Sequence, residues 1–141
     1  MTDLTLILDR IGKKLVEDVA PKLQGDYAHG HAVMIGLINV MAAEMWDGAA
    51  DRLQNEIVGL RHLLSAGGAA PDVAPSPSLK ISDLSTERDE LARNLIILQT
   101  RLEARPEDPE AKLLLTKIWA HLLQTAVARM PSPPAFGEAT D

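Results

Sequence analysis

The sequence predicts an all-α, single-domain bundle of about five helices, with a central apolar second helix and a C-terminal antiparallel helical hairpin. Apolar residues recur at three- and four-residue steps in segment after segment, the period of a helix with one buried face. Aromatic residues are scarce. Tyr27, Trp46, Trp119 and Phe136 are the full set, so the core is left to Leu, Ile, Val, Ala and Met, whereas strands favour aromatic and β-branched side chains. With 141 residues, 46 % hydrophobic and 24 % charged, the chain can bury roughly two thirds of its unfolded surface without a metal or a disulfide.

The first segment, about residues 5 to 23, sets Leu4, Leu8, Ile11, Leu15 and Val19 on one stripe, and Pro21 with Gly25 closes it. Asp26 is placed to cap a second helix beginning at Tyr27 or Ala28. That helix carries no charge from Ala32 to Ala43, a run well short of the roughly 20 residues that span a bilayer. Its apolar residues go all the way round: Val33, Leu37 and Val40 on one side, Met34, Ile38, Met41 and Met45 on another. A helix of that kind is expected to be surrounded by protein and contacted by all the others. One strip, Ala32, Gly36, Asn39 and Ala43, is small enough to admit a close neighbour.

Gly48 marks a kink or a turn before a third helix, about residues 49 to 65, which buries Leu53, Ile57, Leu60 and Leu64 and shows Arg61 to solvent. Residues 66 to 81, AGGAAPDVAPSPSLKI, have no apolar period and are expected to be a mobile linker rather than an extended strap. Ser82, Asp83, Ser85 and Thr86 offer caps for a fourth helix, striped by Leu84, Leu91, Leu95, Leu98 and Leu102. Asp108-Pro109-Glu110 is the clearest start signal, a capping acid followed by proline at the first helical position. The fifth helix then runs to about residue 130 on Leu114, Ile118, Leu122 and Thr125. Only a few residues separate it from the fourth, so the two form a hairpin. Residues 1–130 are thus read as one domain, and residues 131–141, PSPPAFGEATD, as a disordered tail.

A net charge of −6 and scattered basic residues disfavour nucleic-acid binding, which draws on Lys and Arg neutralising phosphates. The first helix has acids across its polar face, unlike a membrane-surface helix. The absence of cysteine removes disulfides, thiolate metal sites and thiol nucleophiles. It also fits a reducing compartment. The N-terminus lacks the basic region and long apolar core of a secretory leader, and a cytoplasmic location is expected.

No phosphate loop, nucleophile elbow or zinc-protease motif occurs. His29 and His31 lie two residues apart, about 200° round a helix, so they do not converge on one ion, and no metal or other cofactor is expected. The polar residues that the helical wheel places among apolar ones are Asn39, Glu44 and His121; with His31 they are the candidate ligand-binding set. The expected function is that of a non-catalytic interaction or accessory protein that binds another protein or a second copy of itself, with no nucleic-acid or membrane partner. The alternative is a small-molecule binder or enzyme with a pocket between the second and fifth helices.

Overall fold

The computed structural model describes residues 3–69 and 71–133. The chain is all-α: α1 (Leu4–Lys14), α2 (Tyr27–Asp47), α3 (Ala49–Ala66), α4 (Ile81–Glu103) and α5 (Pro109–Ala128), with a π-helical turn at Leu15–Val19 and a 3-10 turn at Ala20–Leu23 after α1. These elements form two compact units, one made of the residues up to Gly48 together with those from Pro131, the other of Ala49–Met130. Gly48 ends α2.

The first unit is a helical hairpin. The Asp3 carboxylate accepts the Thr5 N–H and starts α1; Asp26 does the same for α2 through Ala28 N–H at 2.9 Å, as its sequence position predicts. The single helix expected through residue 23 is instead wound three ways. Pro21 has no N–H to donate back into the ladder, and the Ala20 N–H reaches the Leu15 carbonyl, one residue further than in an α-helix. The Ala20 carbonyl accepts a 2.7 Å bond from His29 Nδ1, which ties the turn to the start of α2. A carbonyl can only accept, so Nδ1 carries the proton.

Glycine sets the spacing between α1 and α2. A methyl group built on Gly36 would stand 2.8 Å from the Gly12 carbonyl oxygen and 2.6 Å from Val16 Cγ2; one on Gly12 would stand 2.6 Å from the Gly36 oxygen. The two backbones touch. Gly36 is buried there with Ala32 and Ala43, the small strip legible in the sequence, while its Gly12 counterpart on α1 was not singled out.

The second unit is a three-helix bundle, α3 packed on α4 and both on α5. Its core holds Ile57, Leu60, Leu63 and Leu64 of α3, Leu84, Leu91, Leu95, Leu98 and Leu102 of α4, and Ala111, Leu114 and Ile118 of α5. These are largely the stripes that the periodicity assigns. The α4/α5 hairpin forms as expected, with Asp108 capping α5 through the N–H groups of Glu110 and Ala111.

In its own unit α2 packs on α1 and the turns that follow it, and its opposite side is open. The segment expected to be a mobile linker is bonded to the rest of its unit at several points. α3 closes in a Schellman arrangement, Gly68 at φ +70° with Ala69 N–H on the Leu64 carbonyl. Val73 then joins the core. Its carbonyl accepts from Arg61 Nη2 at 2.8 Å, and the Ser76 N–H donates to Glu87 Oε2 at 2.7 Å. Glu87, 7 % exposed, also accepts from Arg61 Nε and Nη2 at 3.1 and 2.8 Å. Arg61, expected in solvent, is a clamp between α4 and the strap. None of the four expected caps starts α4; Lys80 precedes its first turn, and Asp83 accepts from Ser78 Oγ in the strap. Within the tail expected to be disordered, Ser132 is bonded to Glu44; residues 134–141, including Phe136, lie outside the described residues.

Gly36→Val should lower stability by about 1–3 kcal/mol through forced separation of α1 from α2, read as a lower Tm, while leaving amide exchange in α3 to α5 unchanged. Glu87→Ala removes the acceptor of Arg61 and of the strap; urea unfolding should show a loss of about 2–4 kcal/mol, and the Ser76 amide should exchange faster.

Candidate functional site

The four candidate polar residues are divided between the two units. His31, Asn39 and Glu44 all stand on α2 and project in different directions around it. His31 is exposed, its ring edge-on to Tyr27 at 4.6 Å between centroids. Asn39 is half-buried and bonded within its own helix, Nδ2 to the Ile35 carbonyl at 2.8 Å. Glu44, expected to be buried, is exposed and accepts from the Ser132 N–H and hydroxyl. Each is satisfied without the others.

His121 belongs to the second unit, and the groove it lines is walled by α3 and α5 rather than by α2 and α5. Its imidazole lies in a notch that Gly59 leaves open: a methyl group there would come within 2.5 Å of Cε1 and 2.8 Å of Nδ1. His121 Nε2 is buried and has no hydrogen-bond partner. Burial therefore pushes the pKa of His121 below its ordinary value, against an opposing pull from the Glu56 carboxylate. Glu56 in turn accepts from Arg129 Nη2 at 2.6 Å to both of its oxygens. The groove, about 410 Å³, also presents Arg52, Asn55, Gln124 and Thr125. A neutral imidazole pressed on glycine is a packing element here. Nothing in the sequence paired Gly59 with His121, because 62 positions separate them.

The largest unsatisfied feature of the hairpin is apolar. On α2 the small residues face α1, and the large ones, Met34, Ile35, Ile38, Met45 and Trp46, face outward; Met34 is 59 % and Ile38 57 % exposed. Thr5, Asp9 and Lys13 share one groove with Val40, Ala43 and Glu44, which fixes which edges of the two helices adjoin. On a helical wheel the other edge of α1, carrying Leu4, Ile7 and Ile11, then borders the Ile35 and Trp46 side of α2. Leu4, Ile7 and Ile11 make one face with the exposed large residues of α2, while exposed Leu6 lies on the other edge of α1. On α5, Leu113, Trp119, Leu123 and Val127 are also exposed, as is Met130 just beyond it.

No family model, curated protein or solved structure matches this chain. The site must be read from its own chemistry. Among the described residues no group of three or more His, Asp or Glu side chains is arranged to hold a metal ion, and no single helix is long and apolar enough to cross a membrane.

His121 makes stability depend on pH. The lowered folded pKa means that the unfolded chain takes up the proton first as pH falls through about 6.5, so stability declines from there downward until the folded imidazole also titrates. Urea unfolding of the wild type should therefore lose stability between about pH 7.5 and 5.5 by more than His121→Leu does over the same interval. Gly59→Ala should expel the ring from its notch and return its pKa, followed by NMR, toward the ordinary value.

Proposed function

We propose that the chain is a non-catalytic helical interaction protein of the cytoplasm, which works by docking the outward face of its α1/α2 hairpin on protein. One observation carries this reading: the hairpin turns its large apolar residues away from its own interior. A continuous patch of that size on a water-soluble chain marks a surface used for contact. Flat, apolar and without charge along the middle of α2, it has the character of an interface core, where charged residues are depleted and Met and aromatic residues are enriched.

The test is a photo-crosslinking residue placed in living cells at Ile38, with the same residue at exposed Arg93 as control. A discrete heavier protein band from position 38 and none from position 93 is the expected outcome. Absence of any adduct from position 38 would contradict the reading.

A further inference from the structure

Resting on that interaction reading, we infer that the partner of the α1/α2 face is a second copy of this chain, docked about a two-fold axis so that two hairpins enclose a four-helix core. Three observations single out this occupant.

The first is that the hairpin buries little fully. Its buried residues are Gly12, Ala20, Ala32, Gly36 and Ala43, none with a side chain larger than methyl, while larger ones such as Leu8, Val16, Leu37 and Val40 are only half-buried. Two helices of this length fall in the size range where oligomerisation is a usual source of stability. The second unit differs, with thirteen buried residues in one cluster. Something must bury the large residues of the hairpin, and α5, although it too has exposed apolar residues, belongs to a unit already supplied with a core.

The second is area. Leu4, Ile7 and Ile11 with Met34, Ile35, Ile38, Met45 and Trp46 are each between 38 and 59 % exposed. Together they offer on the order of 800 Å², the share that one partner gives to a stable interface of standard size.

The third is charge. From Tyr27 to Ala43 α2 has no Asp, Glu, Lys or Arg, so the α2 part of the face meets its own copy without repulsion, the basic Arg10 and Lys14 standing on the α1 part. The charges that flank it on α2 are acidic, Asp26 at one end and Glu44 and Asp47 at the other. An anionic lipid surface would repel those ends, and interfacial helices carry Lys and Arg in such places. Ile38 lies midway along the face and so meets its own copy near the axis.

Sedimentation velocity of the purified full chain between about 0.1 and 100 µM, which brackets a moderate affinity, should give the mass of two chains. Ile38→Glu should raise the dissociation constant about a hundredfold, in the range of an interface hot spot. Ile38→Lys alone should do likewise, and mixing the two variants should restore the two-chain mass, which misfolded variants could not do. A wild-type monomer throughout this range would overturn the inference, as would a dimer that Ile38→Glu leaves intact or a monomer that sediments with phosphatidylserine vesicles. The in-cell crosslink separates this failure from that of the broader reading. An adduct of two chain masses supports both; an adduct with a different protein, joined to a monomer in solution, retains the interaction and removes the second copy; no adduct removes both.

Discussion

The contact between the Gly12 and Gly36 backbones governs the first forty-eight residues. Two helices that approach until a carbonyl oxygen stands where a Cβ would be must carry glycine at that point, with Val16 and Val40 packed beside it. Small residues line the closest approach, and the large exposed residues of α2 stand away from it. The close approach gains dispersion contacts along the backbone, yet it leaves the hairpin without the apolar burial that normally dominates folding. Outward-facing Met34, Ile38 and Trp46 follow from the glycines. The exposed apolar face and the seam are two sides of one geometric choice.

The second unit solves the same problem in the ordinary way. Leucine stripes on three helices close on one another, and the polar groups drawn in are satisfied locally. Glu87 stands in the register of the Leu84–Leu91 stripe, where a carboxylate would be costly, and it is held by Arg61 and the Ser76 amide. That arrangement turns a proline-rich connection into a strap, because each bond to Arg61 or Glu87 fixes one of its residues. His121 Nε2 is left without a hydrogen-bond partner, and burial of the imidazole depresses its pKa.

Much of this was legible from residue order. Asp26 and Asp108 announced their helices, the stripes of α3 and α4 named most of the core, and the Ala32, Gly36, Ala43 strip announced a close neighbour. What periodicity does not supply is the partner of each face. For α2, apolar on every side, the wheel gave no preferred direction, and a central position was the natural expectation; the choice was made by Gly12, which lies on another helix. Glu87 had a local signal, a charge in a leucine stripe, whereas its partners in the strap had none. The four polar candidates scattered because a helical wheel places side chains on faces and cannot bring distant faces together.

We propose that the α1/α2 hairpin owes its stability to cover on its outward face more than to burial within the hairpin. Amide hydrogen exchange of the intact chain, followed across a range of protein concentrations, tests it most directly. Protection in α2 should rise with concentration while protection in α3 to α5 stays constant. Protection of α2 that is strong and independent of concentration would contradict the account.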